Sequence, residues 1–216
     1  MNSVRSLAAI VVLACFALVV LLLFEFHTPA AAAKLIASSA FIGVALTSGA
    51  SRSAYGRLIL LGLFFSWFGD MFLVGLTEMF FLLGLGAFLL AHVSYVAAFG
   101  VHGVDRRWLL MAGLPVFGLA IAVTLWLNPH VAPYLAVPVR TYTAVISVMV
   151  VMAFGTRGAG GSLLILGGAL LFFVSDLSVA ALRLVQTDFP TYVWGLPFYY
   201  GGQLCLALSV SQSRSH

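Results

Sequence analysis

Runs of about twenty apolar residues recur from one end of this chain to the other, and no other feature limits its fold as strongly. The first is "VRSLAAIVVLACFALVVLLLF" at 4–24. A helix of roughly 20 such residues crosses a hydrocarbon core ~30 Å thick. Hydropathy divides the sequence into eight spans, near 4–24, 30–48, 57–76, 79–100, 108–127, 134–154, 161–184 and 191–211. Between them lie turn-forming breaks such as "HTPA" (27–30), "HGVDRR" (102–107), "NPHVAP" (128–133) and "GTRGAGG" (155–161). Of the 216 residues, 63% are hydrophobic and only 7% charged. A soluble domain carries about 25% charged residues, so this chain cannot cover a water-facing surface. The expectation is an all-α, polytopic membrane bundle of about eight transmembrane helices, with residues 1–216 forming one transmembrane domain. Arg5 followed by an apolar run without a small-x-small exit before Glu25 reads as a retained first helix rather than a signal peptide.

The charges act as topology signals. Nine arginines and one lysine give a net charge of +4, but they are scattered over short loops and form no nucleic-acid-binding patch. With eight spans both termini share a side, which collects Arg5, Arg52, Arg57, Arg106, Arg107, Arg157 and Arg214. The positive-inside rule places that side in the cytoplasm, for an integral protein of a bacterial inner or plasma membrane. Cys15 and Cys205 lie far apart in apolar runs and read as packing residues rather than a disulfide framework.

Three cations break the rule: Lys34, Arg140 and Arg183 stand on the far side, inside or at the edge of helices. Two aspartates share their depth. Asp70 in "FFSWFGDMFL" is 13 residues beyond Arg57, and Asp176 in "LFFVSDLSVA" is 15 beyond Gly161. At ~1.5 Å per residue both carboxylates lie ~20 Å from the cytoplasmic end. The spacing from Lys34 to Asp70 is 36 residues, and so is that from Arg140 to Asp176. A shift of 106 residues lays 59–76 on 165–182 and matches Ile59/Ile165, Gly62/Gly168, Asp70/Asp176 and Leu76/Leu182. The chain therefore reads as two four-helix halves in parallel, 1–104 and 105–216.

Ionisable side chains inside a membrane helix are costly, and they face the bundle interior or a wet cavity with a partner. The bland reading pairs Asp70 with Lys34 and Asp176 with Arg140 as struts. In the functional reading the two aspartates face a shared cavity, with small neighbours (Gly69, Ser175) admitting a close approach. Two such carboxyls suit acid–base chemistry when their surroundings hold them in different protonation states. Lys34 and Arg140 can supply that asymmetry or hold a substrate phosphate. The remaining polar residues in apolar surroundings are His92, Tyr95, Tyr142, Tyr199, Tyr200 and Gln203. Each fits an interhelical hydrogen bond as well as a substrate contact. No second histidine or cysteine stands at ligand spacing from His92, so no metal and no cofactor is expected.

Taken in order, these residues resemble the YhhN-like integral membrane proteins, a family that includes lysoplasmalogenases. The carriers are Lys34, Gly69–Asp70, His92 with Tyr95, Tyr142, Ser175–Asp176, and Tyr200 with Gln203. In the family the lysine is usually followed by proline, where this chain has Leu35. The resemblance implies hydrolysis of the vinyl-ether bond of a lysoplasmalogen, drawn from among the membrane lipids, to a fatty aldehyde and a glycerophospho-base. Asp70 and Asp176 are then the catalytic pair. Lys34, Arg140 and His92 become candidates for the headgroup phosphate or for tuning the pair, and Tyr95, Tyr142, Tyr200 and Gln203 for positioning. The chief rivals use the same intramembrane aspartates: a proton-coupled transporter and a lipid-binding protein. An intramembrane aspartyl protease fits less well, because Trp67 stands where its G-x-G-D step needs glycine.

Overall fold

The computed structural model describes residues 2–75 and 77–212. Leu76, in the repeat alignment, and Arg214, among the seven topology cations, lie outside the described residues. Eight α-helices follow one another: α1 (Asn2–Leu23), α2 (His27–Thr47), α3 (Ala54–Phe72), α4 (Glu78–His102), α5 (Arg106–Leu127), α6 (Ala136–Gly158), α7 (Leu163–Ala180) and α8 (Tyr192–Gln212). They match the eight hydropathy spans to within a few residues. Six of them are long and apolar enough to cross a membrane, and α3 and α8 fall outside that set. The reason is local: α3 carries Arg57 in its exposed first turn and Asp70 in its interior, and α8 carries Tyr199, Tyr200 and Gln203, buried polar groups that a helix among other helices can hold. The chain is a multi-pass membrane protein.

The breaks between spans carry capping chemistry. Ser53, Thr77 and Ser162 accept bonds from the amides of Gly56, Phe80 and Leu164 at the starts of α3, α4 and α7. The Asp105 carboxylate accepts from the Arg107 amide at 2.7 Å and so opens α5. Gly103, at φ 103°, closes α4 in a conformation open to glycine. Short connections make consecutive helices antiparallel, pairing α1 with α2, α3 with α4, α5 with α6 and α7 with α8. α8 also packs on α1, α2 and α3, while α4 meets α6 and α6 meets α7, which closes the bundle around its centre. α5 leans on α6 at the outside. Leu110, Met111, Leu114 and Leu125 on α5, like Leu13 and Phe16 on α1, face outward as lipid-facing bulk. The opposite stripe of α1, Val11, Ala14, Cys15 and Leu18, is buried at helical spacing.

Glycine sets the closeness of the two hairpins that flank the centre. A methyl group at Gly62 would overlap the ring of Tyr95, and one at Gly69 would lie 2.6 Å from the Phe88 ring. Seven residues separate the glycines on α3 and the aromatics on antiparallel α4, so each ring seats in one glycine notch. Gly69 thus makes room for Phe88, rather than for a ligand as its place beside Asp70 suggests. On α7 and α8 a Cβ at Gly202 would stand 2.9 Å from the Gly168 carbonyl oxygen, and one at Gly195 would meet Ser178. Small residues that let backbones approach are a common way to hold helices together in lipid.

These notches predict a contrast. Gly62→Val forces the fully buried Tyr95 ring aside and should cost ~1–3 kcal/mol, as overpacking does. Gly113→Ala and Gly118→Ala enter open space and should be neutral or stabilise by up to ~1 kcal/mol through helix propensity. Thermal unfolding of the detergent-solubilised variants measures both.

Candidate active site

Lys34 lies two turns into α2, and Ser38 follows one turn later on the same face. Both reach across to Asp70 on α3. Lys34 Nζ is 3.7 Å from Asp70 Oδ1, and the Ser38 hydroxyl donates to Oδ2 at 2.6 Å. From α8, the Tyr199 hydroxyl donates to the same Oδ2 at 2.7 Å. Tyr200, its chain neighbour, stands within 3.3 Å of Ser38 Oγ and donates weakly to the Lys34 carbonyl at 3.5 Å. Three helices therefore converge on one carboxyl whose side chain is only 3% exposed. Lys34–Asp70 is the one ion pair between Lys or Arg and a carboxylate among the described residues.

Asp176 has different company. The Tyr142 hydroxyl from α6 donates to Asp176 Oδ2 at 2.7 Å. His92 Nε2 from α4 lies 2.8 Å from the Tyr142 oxygen and 3.4 Å from Asp176 Oδ2. With the Tyr142 hydrogen committed to Asp176, its oxygen accepts from His92 Nε2–H. Nδ1 then faces the Met149 sulfur at 3.3 Å. The His92 side chain is fully buried, whereas Asp176 is 16% exposed, and its partners all engage Oδ2. Among the described residues the second oxygen has no hydrogen-bond or ion-pair partner, and it belongs to a residue that lines a cavity.

Arg140 does not join Asp176. Its guanidinium is exposed and donates to the Asn128 side chain at 2.8 Å, at the turn that precedes α6. The equal 36-residue spacings thus do not produce equal pairs: a histidine and a tyrosine take the place expected for the arginine.

Both carboxylates line one cavity of about 640 Å³, together with Lys34, Tyr142, Tyr199 and Arg183. Its walls are mostly apolar, with Phe88, Ile146 and Phe173 among them. All the lining residues lie in the half of the bundle away from the termini. Toward the termini, Ile59, Leu63, Phe99 and Leu206 are fully buried and fill the interior. Tyr95 and Gln203 sit behind the cavity, where the Tyr95 hydroxyl donates to Gln203 Oε1 at 2.8 Å and stands 3.4 Å from Ser66 Oγ. His92 and Tyr200 likewise support cavity residues without lining the cavity.

Of the nine residues singled out in the sequence, Lys34, Asp70, Tyr142 and Asp176 line the cavity. His92, Tyr95, Tyr200 and Gln203 form the layer behind it, and Arg140 stands apart. Sequence reasoning passed over Ser38 and left Tyr199 and Arg183 outside the site. Ser38 had a signal, its four-residue step from Lys34, and Arg183 had its place among the three cations that break the charge rule.

The YhhN family model matches residues 4–210. The chain belongs to the YhhN family. Lysoplasmalogenase TMEM86A from Bos taurus is 34% identical over 171 residues, covering 72% of this chain and 66% of the relative. Human lysoplasmalogenase TMEM86A is 34% identical over 163 residues with the same coverage. Lysoplasmalogenase TMEM86B from Sus scrofa is 33% identical over 136 residues, covering 62% of this chain and 55% of the relative. The chain thus spans between about half and two thirds of the length of these relatives. No solved structure shows significant similarity to it.

Asp70 and Lys34 are coupled by burial. Lys34→Met leaves Asp70 without its countercharge and should destabilise the protein by ~3–5 kcal/mol, the usual cost of breaking a buried pair. Adding Asp70→Asn should restore much of that loss. A double variant no more stable than Lys34→Met would show that the two charges are not coupled; denaturant titration in detergent reads the difference.

Proposed function

We propose that the protein hydrolyses the vinyl-ether bond of lysoplasmalogens, releasing a fatty aldehyde and a glycerophospho-base. One observation carries this reading: two carboxyls with unlike partners line a single, largely apolar cavity of a YhhN-family chain. The names of the relatives point to the same substrate class.

The chemistry follows from what a vinyl ether requires. Its β-carbon must take a proton, and the π electrons that form the new C–H bond leave an oxocarbenium-like cation. Water then adds to the carbon beside the oxygen. Asp176 takes the acid role: its free oxygen opens toward the cavity and can carry a proton to the substrate. Tyr142 and His92 hold the opposite oxygen and fix the direction of that proton. Asp70, which faces the Lys34 ammonium and accepts from Ser38 and Tyr199, takes the carboxylate role. It stabilises the cation and accepts a proton from the attacking water. The resulting hemiacetal collapses as its hydroxyl proton returns to Asp176 and the glycerol oxygen leaves with the proton held by Asp70. Glycosidases meet a similar cation with a similar pair of carboxyls. General acid or base catalysis contributes ~10²–10⁴-fold per group.

The orientation belongs to the same reading. Both termini face the cytoplasm, as the cation count supports, so the cavity half of the bundle lies in the outer leaflet. The apolar walls suit the alkyl chain.

Aldehyde release from a lysoplasmalogen by the detergent-purified protein tests the proposal. Wild type should release aldehyde, and Asp70→Asn and Asp176→Asn should each lose ~10³-fold or more in kcat while still folding. Tyr142→Phe should lose ~10–100-fold, the worth of one hydrogen bond to a charged group. No aldehyde from folded wild type, or full activity in either aspartate variant, would overturn it.

A further inference from the structure

We propose that Arg183 binds the phosphate of the lysolipid headgroup at the end of the cavity away from the termini; the inference rests on the lysolipid reading above. The three residues that the sequence offers for a phosphate are otherwise placed. Lys34 faces Asp70, Arg140 faces Asn128, and His92 is buried behind Tyr142.

Arg183 is differently situated. After Ala180 the helix widens into a π turn, Ala181–Val185, a distortion common near functional sites because it re-aims side chains. Within that turn Arg183 lines the cavity and is partly shielded from solvent. Its Nη2 donates to the Leu73 carbonyl at the end of α3, at 3.2 Å, which steadies the side chain across the α3 and α7 ends. Among the described residues no carboxylate lies within ion-pairing distance of it. A guanidinium has five N–H donors. One bond to Leu73 leaves donors for a phosphate, the anion this planar fork fits best.

The depth also agrees. Arg183 is seven residues past Asp176, ~10 Å along the helix at ~1.5 Å per residue. The ether, glycerol and phosphoester bonds between the vinyl carbon and phosphorus cover a comparable length. A lysolipid can then present its vinyl ether to Asp176 while its phosphate stays near the membrane surface. His27 at the start of α2 and Tyr192 at the start of α8 line the cavity near the same end and offer further donors.

The test is a binding measurement with lipids that cannot be cleaved: a saturated 1-O-alkyl lysophosphatidylethanolamine and the matching 1-O-alkylglycerol without phosphate. Wild type should bind the phospholipid at least tenfold more tightly than the alkylglycerol. Arg183→Ala should lose that preference with alkylglycerol affinity unchanged, and Arg183→Lys should keep part of it. Arg183→Gln, which retains an amide donor for Leu73, should behave as Arg183→Ala and serves if alanine impairs folding. A preference left intact, or equal weakening of both lipids, would overturn the assignment. So would inorganic phosphate that binds as tightly as the phospholipid. Because neither lipid carries a vinyl ether, absent aldehyde release would count against the hydrolase alone. An intact preference in a protein that does release aldehyde would count against Arg183 alone.

Discussion

A carboxylate held in hydrocarbon must find in the protein the donors that water would otherwise supply. That constraint organises this bundle. Asp70 draws Lys34 and Ser38 from α2 and Tyr199 from α8, while Asp176 draws Tyr142 from α6 and His92 from α4. Six of the eight helices are thus tied into two polar knots, and the glycine notches of α3/α4 and α7/α8 let the backbones come close enough to tie them. α1 and α5, which contribute to neither knot, present much of their surface outward as apolar bulk. Burying polar groups adds little net stability, so the knots are better understood as fixing which helix meets which, and at what height.

The two knots differ, and the difference matters for chemistry. A cation and two hydroxyls surround one carboxyl; a tyrosine and an imidazole attend the other. Residues of one type at one depth thereby stand in unlike surroundings. The cavity occupies one half of the bundle, and Ile59, Leu63, Phe99 and Leu206 stand beyond it.

Much of the fold was legible because the bilayer imposes length and apolarity directly on sequence. The approximate helix limits and the interior placement of Asp70 and Asp176 follow from that. Depth was legible too, since it is counted along the chain: it put Lys34 level with Asp70, and the structure pairs the two. Azimuth was not. Arg140 has the matching spacing from Asp176, yet Asn128 in the turn before α6 captures it, and no spacing along one helix reveals which side chain a neighbouring turn will offer. Tyr199 and Tyr200 differ by about 100° around α8, and only contact with α2 and α3 decides which one reaches the carboxylate. Ser38 was hidden for another reason: serine is common in membrane helices, and its role depends on Lys34 one turn earlier. Gly69 drew attention for its position beside Asp70, but its small size serves Phe88.

The central claim is that a carboxylic acid fixed in this cavity protonates the vinyl carbon of the lipid. The most direct measurement is cleavage of a lysoplasmalogen in D2O, with the aldehyde reduced at once to its alcohol and the configuration at carbon 2 determined. Delivery of the proton by a held side chain predicts one deuterium at that carbon in a single configuration. An undeuterated carbon, or a mixture of both configurations, would contradict the account, because it would mean that the proton does not come from an acid held to one face of the double bond.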